Sequence, residues 1–349
     1  MHIVHALFSP HMGGLEASYV DTTDVLIANG HKISVLCHEN SPYRESLSQL
    51  GCAIYTAVPT GFYDIFAAWK VRRLLHKIKP DLIIAHNARA ISLLSFAALG
   101  TGILVCGVSH SYKTPRTMRA DRLVVLTEHM RAHFIKAGFS PEKLHVIPNL
   151  IRLTAVPVVK PRHTPVTIGA IGRFRTDKGF DAFLRALHLL KQKNIYFSAY
   201  IGGRGEESGA LHLLAEKYGL ASHIKWEGWV QDKEAFYQQL DIMCLPSLEE
   251  SFGIVVLEAL AHGIPIVASN VSGPASIITN GKNGLLAQPG NGKDIANAIE
   301  YLIDNPDLAE RIIQEGWKRA QDFSFSTIAD KWEEALRDFF SSLSGRGLG

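Results

Sequence analysis

Cysteine is the first scarcity. The 349-residue chain has four, Cys37, Cys52, Cys106 and Cys244, mostly inside apolar runs and without a CxxC pair. That pattern excludes a disulfide framework or a zinc ribbon and reads as reduced core thiols of a cytosolic protein. A basic segment ahead of an apolar signal core is also lacking, so no secretion signal is expected. Charge is absent from 90–112, a stretch long enough on paper to span a bilayer. Gly100, Thr101 and Gly102 interrupt it, and a buried helix, a turn and a buried strand are the expected reading. No GxGxxG follows a strand pattern, which argues against a nicotinamide enzyme. There is no short-period repeat.

What is present fits a globular protein. Hydrophobic residues make up 47% and charged residues 20%, enough to fill sizeable cores, and two domains are the default at this length. The formal charge of +3 is uneven: residues 1–150 hold 15 Lys and Arg against 10 Asp and Glu, the remainder 21 against 23. The excess gathers at Lys70, Arg72, Arg73, Lys77 and Lys79, and again at Lys113, Arg116, Arg119 and Arg122. An anionic partner for the first half follows. With so small a net charge and no recognition motif, nucleic acid is not expected as that partner.

Short apolar runs alternate with amphipathic ones through both halves. Strands are expected at 3–8, 32–37, 53–56, 82–85, 103–109, 122–126 and 145–147, with helices at about 15–29, 43–50, 64–78, 89–99 and 127–137. Gly30 stands where the first helix should end. Residues 151–164, with Pro157 and Pro161 among Val, Lys and Arg, read as a linker running up to Pro165. Beyond it, strands are expected at 166–171, 196–201, 224–227, 242–245 and 265–268. Helices are expected at about 178–192, 206–218, 232–239, 253–262, 292–303, 305–320 and 325–340. The economical architecture is α/β: two doubly wound parallel-sheet domains, 1–150 and 165–324, facing across a cleft. Ligands in such sheets sit at the carboxyl ends of strands. The tail GRGLG is expected to fray.

The densest chemistry lies in 241–269, DIMCLPSLEESFGIVVLEALAHGIPIVAS. A strand runs through a Pro-Ser turn and an acidic loop into a helix opening at Phe252-Gly253 and closing at Gly263. Glu250 and Glu258, eight residues apart, would lie roughly 10 Å apart along a helix axis. Between them lie the free N–H groups of the helix start, a ready anion site. A nucleotide-sugar, with hydroxyls at both ends and a diphosphate between, fits that layout. On these residues alone a second reading stays open: Glu250 complements the helix dipole and Glu258 is solvated.

Three further stretches carry weaker signals. HMGGLEASY (11–19) places Gly13 and Gly14 between a strand and a helix, either as a close backbone approach to a ligand or as an ordinary tight turn. IGAIGRFRTDKGF (168–180) puts Arg173 and Lys178 on the turn leaving a strand. They are either a clamp on a diphosphate, stabilising the charge that grows on a leaving nucleoside diphosphate, or solvated cations. His110, in GVSHSYKTP (107–115), follows a strand at its carboxyl end, as a cleft residue or a solvated loop histidine.

Taken in order, these pieces resemble the large GT-B glycosyltransferase family 4 of retaining enzymes. The resemblance rests on GGLE (13–16), SH (109–110), VIPNLI (146–151), GRFRTDKG (172–179), GGRGEE (202–207), IKWEGWV (224–230), PSLEESFGIVVLEALAHGIPIVAS (246–269) and GKNGLLAQPG (281–290). These cover nearly the whole chain, and the ESFG–IVAS segment is the most specific. The resemblance implies two Rossmann-like domains, the second holding the nucleotide-sugar donor, with a final helix, 325–340, crossing back onto the first. It implies that Arg173 and Lys178 hold the diphosphate, Glu258 the ribose hydroxyls, and Glu250 with the backbone of Phe252 and Gly253 the donor sugar. Gly172, Ser251, Ile254 and Val255 join that donor set. Trp229 and Val230 line the base pocket, and Gly13 and Gly14 border the acceptor or the phosphates. His110 contacts the donor sugar from the opposing domain. Ser276, in SGPAS (272–276), departs from the glutamate the family often carries there.

The expected activity is transfer of a hexose-type sugar from a UDP- or GDP-sugar to a glycan or lipid-linked acceptor, with retention, in bacterial-type cell-surface polysaccharide, lipopolysaccharide or glycolipid synthesis. Family members are described as substituting on the same face, the leaving phosphate helping to deprotonate the acceptor. With no DxD motif and two cations at the diphosphate, neither a metal nor another cofactor is expected. The alternatives are a GT-B-like epimerase and a non-catalytic nucleotide-sugar binding subunit. FYDIFAAWKVRRLLHKIKP (62–80) sets aromatics ahead of its cations, either as a contact with an anionic membrane surface or as a solvated helix face. A cytoplasmic protein, peripheral on the inner face of the membrane in the first case, is expected.

Overall fold

The computed structural model describes residues 1–61, 64–153, 155–157 and 161–344. Phe62 and Tyr63, parts of the expected linker (154 and 158–160) and the tail 345–349 lie outside the described residues. The chain divides into two compact units, one of residues 1–150 with the C-terminal helix, the other Ile151–Ser324.

The first unit runs β1 (His2–Leu7), α1 (Gly14–Ala28), β2 (Lys32–Cys37), α2 (Arg44–Gln49), β3 (Ala53–Thr56), α3 (Ile65–Ile78), β4 (Leu82–His86), α4 (Asn87–Ala97), β5 (Leu104–Ser109), β6 (Arg122–Val125), α5 (Glu128–Lys136) and β7 (Leu144–Val146). Its seven parallel strands lie in the order β3-β2-β1-β4-β5-β6-β7. The strand order reverses between β1 and β4, and ligands of such sheets sit beyond the carboxyl ends at that point. The central strands are buried along nearly their whole length, because helices cover both faces. The charge-free stretch 90–112 resolves into most of α4, a turn and β5. No described helix is long and apolar enough to cross a membrane.

The second unit runs β8 (Val166–Ile171), α6 (Phe180–Gln192), β9 (Phe197–Gly202), α7 (Ser208–Lys217), β10 (Ile224–Gly228), α8 (Lys233–Gln238), β11 (Ile242–Leu245), α9 (Ile254–Ala261), β12 (Ile266–Ser269), α10 (Ser272–Ile277), β13 (Leu285–Ala287), α11 (Gly292–Asp304) and α12 (Pro306–Gln321). Its sheet order, β10-β9-β8-β11-β12-β13, reverses between β8 and β11. Neither β13 nor α10 was expected from the sequence: three residues show no period, and SGPASI carries both Gly and Pro. The last helix, α13 (Phe325–Ser344), packs against α1. Ile328, Trp332, Ala335 and Phe339 are buried at helical spacing in the first unit's core. Burying each of the large side chains contributes roughly 1.5–3 kcal/mol. Asn29 donates to the Ala329 carbonyl (2.9 Å), and His31 pairs with Glu333 (2.8 Å).

Two kinds of helix start recur in the fold. α3, α5, α8 and α11 are closed by the side chains of Asp64, Thr127, Asp232 and Asn291, which accept from backbone N–H groups of the first turn. α1, α6 and α9 instead begin behind glycines, Gly13, Gly179 and Gly253, with no side-chain cap. All three start beyond the carboxyl end of a strand that borders a reversal of sheet order, leaving their first N–H groups open on the ligand-binding edge.

Candidate functional site

In the second unit two loops leave the carboxyl ends of β8 and β11. The first, 172–179, carries Gly172, Arg173 and Lys178. Lys178 closes a 3-10 turn (Thr176–Lys178), so α6 begins two residues later than the pattern suggested. Gly179 takes the left-handed conformation (φ 63°), and a Cβ there would lie 2.1 Å from the Pro246 carbonyl oxygen. Only glycine lets the two loops approach this closely. Leu248 N–H donates to the Asp177 carbonyl (2.8 Å), and the Lys178 ammonium meets Glu250 Oε2 at 2.8 Å. The structure therefore brings together two residues that are 72 positions apart.

The helical counting behind the expected axial separation of Glu250 and Glu258 does not apply. α9 begins at Ile254 and residues 250–253 are not helical, so a rise per helical residue cannot be counted from Glu250. The Glu250 carboxylate makes no capping hydrogen bond to the start of α9 and turns to Lys178. Beneath this loop Gly273 N–H donates to the Glu250 carbonyl (3.0 Å), and a Cβ on Gly273 would come within 2.6 Å of Phe252 N. Phe252 is buried (3% exposed) against Phe323, so its backbone alone can meet a ligand. Ser251, Ile254 and Val255 are half-buried at the open start of α9.

Glu258 is not a solvated helix residue: it is 8% exposed. The Tyr237 hydroxyl donates to its Oε2 (2.7 Å), and Lys233 pairs with its Oε1. Burial and the neighbouring carboxylate push the Tyr237 hydroxyl well above its usual pKa, which keeps it a donor. The sequence reading missed both partners, since a tyrosine 21 positions away leaves no local signal. Trp229 follows β10 and is exposed, while Val230 packs where a Cβ on Gly202 would stand. Ser276 donates to the Gly273 carbonyl (2.6 Å) within the short α10, and Arg319 donates to the Ser276 carbonyl.

In the first unit Gly13 and Gly14 open α1 just beyond β1. His110 follows β5 and is not a solvated loop histidine: its Nε2 lies 3.0 Å from His86 Nδ1. Burial lowers its pKa to about 4, so the ring is neutral at pH 7. Among the described residues no group of three or more His, Cys, Asp or Glu could hold a metal ion.

Two doubly wound units with this strand order make the class of the molecule plain: it has the GT-B fold of glycosyltransferases. Crystal structures of Anabaena Alr3699/HepE with UDP have a TM-score of 0.85 at 21% identity, over 97% of this chain and 100% of that one. The apo form of the lipopolysaccharide outer core galactosyltransferase WaaB gives 0.80 at 18%, over 96% and 99%. Residues 12–155 match the family model Glycosyltransferase Family 4, and residues 154–319 match Glycosyl transferases group 1. The lipopolysaccharide core biosynthesis glycosyltransferase LpsD of Rhizobium meliloti is 27% identical over all of this chain and 99% of its own length. The chain belongs to the family 4 glycosyltransferases and is an enzyme of that class.

Proposed function

We propose that this glycosyltransferase moves a hexose-type sugar from a UDP- or GDP-sugar to a glycan or lipid-linked acceptor, with retention, in cell-surface polysaccharide, lipopolysaccharide or glycolipid synthesis. The single observation that carries the donor site is the Lys178–Glu250 pair, where loops from the two strands flanking the reversal of the second sheet meet. HepE has been crystallised with UDP-glucose, and LpsD is a lipopolysaccharide core biosynthesis glycosyltransferase. Both support the reading.

In this reading Arg173 and Lys178 neutralise the diphosphate, helped by the open N–H groups at Gly253, Ile254 and Val255. Glu258 accepts from the ribose hydroxyls, with Tyr237 holding one of its oxygens. Gly172, Trp229 and Val230 border the nucleotide, and Gly13 and Gly14 the acceptor or phosphates. Glu250 and Ser251 hold the sugar, and His110 supplies a further polar group to it. The bond from the anomeric carbon to the diphosphate oxygen breaks as the acceptor oxygen bonds on the same face. The acceptor proton passes to the leaving phosphate, whose charge the two cations stabilise. The chain's own groups supply the positive charge, so the reading needs no cofactor.

A saturation-transfer NMR screen of UDP-, GDP-, ADP- and TDP-sugars tests the donor site. One nucleotide class is expected to bind, and binding is expected to vanish in Arg173→Ala and Glu258→Ala. Survival of binding in both variants would remove the site.

The acceptor side of the proposal places α3 on an anionic membrane surface of the cytoplasmic leaflet. Ala67, Ala68, Val71 and Leu75 are buried at helical spacing, while Ile65, Phe66 and Trp69 are 67%, 82% and 54% exposed. Lys70, Arg73 and Lys77 extend that exposed face, with the Arg73 guanidinium 4.8 Å from the Trp69 ring centroid. Such a face suits the boundary of headgroups and acyl chains. Arg72 is different: it donates to the Ala97 and Leu99 carbonyls and anchors α3 on α4. Arg73→Glu with Lys77→Glu is expected to lower co-sedimentation with phosphatidylglycerol vesicles by about thirtyfold or more, since two cations at roughly 1 kcal/mol each are lost and two anions put in their place. Unchanged co-sedimentation would remove the membrane contact.

A further inference from the structure

Three histidines of the first unit form a hydrogen-bonded series, of which the roles above use only the last. His5 lies on β1, His86 ends β4 and His110 follows β5, and those strands are neighbours in the sheet. Leu7 is in register with His86, and His86 with Val108. The series starts on α1, where Thr23 Oγ1 is 2.8 Å from His5 Nδ1. His5 Nε2 is 2.8 Å from His86 Nε2, and His86 Nδ1 is 3.0 Å from His110 Nε2. His5 and His86 are fully buried, and the Tyr19 ring packs on both.

Each contact needs one donor and one acceptor, and a neutral imidazole has one of each. Burial keeps the three rings neutral: it lowers His5 to about 3, His86 well below its usual value and His110 to about 4. The direction at one end therefore fixes every proton in the series. Thr23 is inside α1, and its hydroxyl donates to the Tyr19 carbonyl at 2.9 Å, as helical threonines do. With its one proton so placed, Oγ1 can only accept from His5 Nδ1–H. His5 Nε2 then accepts from His86 Nε2–H, and His86 Nδ1 accepts from His110 Nε2–H. The bare lone pair falls on His110 Nδ1. A helix carbonyl ends the series and holds no proton, so the arrangement is a clamp and not a proton path.

We propose that Thr23, His5 and His86 are positioning residues that lock His110 as its Nε2–H tautomer, making Nδ1 an obligate hydrogen-bond acceptor for a substrate hydroxyl. An acceptor atom repels phosphate oxygens and takes an O–H, so His110 reads a sugar hydroxyl and not the diphosphate. The hydroxyl contact rests on the donor-site reading above; the tautomer lock does not.

Nitrogen-15 histidine labelling of the full chain, read by two-bond proton–nitrogen correlation near neutral pH, tests the lock. His110 and His86 are expected to be protonated at Nε2 and His5 at Nδ1. Thr23→Val keeps the side-chain shape without the hydroxyl and is expected to mix the His110 tautomers; Thr23→Ser is expected to restore the single one. A wild-type His110 protonated at Nδ1, or a His110 tautomer unchanged in both Thr23→Val and His86→Leu, would overturn the proposal. Adding UDP-glucose is expected to move the Nδ1 resonance to lower shift, and adding inorganic phosphate is expected to leave it in place. If bound UDP-glucose leaves Nδ1 unmoved, the hydroxyl contact falls while the lock stands.

Discussion

Replacing Lys178 with alanine is expected to lower kcat by about 10²–10³-fold, the usual loss when one group stabilising transition-state charge is removed. The unfolding free energy should change by only about 1 kcal/mol or less, because the pair it breaks is partly solvated. The two loops stay together without it: Leu248 N–H still donates to the Asp177 carbonyl, and Gly179 still packs under Pro246. What disappears is a positive charge where the departing diphosphate gathers negative charge. A double variant separates this from a merely structural ion pair. If Lys178 served only to neutralise Glu250, Lys178→Ala with Glu250→Gln would recover activity. No recovery is expected, since Glu250→Gln leaves the diphosphate without its cation. The rate of nucleoside diphosphate release at saturating donor reads kcat, and thermal unfolding reads stability. A double variant within about tenfold of wild type, a difference of about 1.4 kcal/mol in the barrier, would reduce Lys178 to a partner of Glu250.

Much of this architecture was legible in the sequence because buried parallel strands read as continuous apolar runs and their crossover helices as amphipathic ones. β1, β2, β3 and β8 fall within a residue of the expected positions. The limits are as physical as the successes. β13 has three residues and no period, and α10 holds a glycine and a proline that a pattern reads as loop. The eight-residue spacing of Glu250 and Glu258 was visible, but their environments were not. Whether a carboxylate is solvated or clamped depends on Tyr237, Lys233 and Lys178, which the fold delivers from other elements. His5 did leave a trace, as a polar residue inside the apolar strand HIVHAL. Its partner His86 is 81 positions away, and no periodicity links them.

That histidine series makes the first unit sensitive to acid in a predictable window. In an unfolded chain histidine titrates near pH 6.5 (roughly). In the folded unit burial lowers His110 to about 4, His5 to about 3 and His86 well below its usual value. Between about pH 6.5 and 4, then, the unfolded chain binds protons that the folded unit refuses, and stability falls as pH falls. Stability is full above about pH 6.5; the His110 contribution stops growing below about pH 4 and the His5 contribution below about pH 3. Each group contributes about 1.4 kcal/mol per pH unit, so the three together approach roughly 4 kcal/mol per unit. A domain has only about 5–15 kcal/mol in all, so opening of β1, β4 and β5 is expected by about pH 5, before most carboxylates titrate. Hydrogen exchange followed by mass spectrometry across that range is the measurement. Peptides from β1, β4 and β5 should lose protection ahead of those from β8 and β11, where no histidine is buried in this way. His5→Gln should flatten the pH dependence by about one histidine's share while lowering stability near neutral pH, because Thr23 and His86 then lose their partner. Protection of β1 and β4 that stays level from neutral pH down to about pH 5 would mean that the rings take up protons without opening the fold, and the acid sensitivity of the first unit would have to be abandoned.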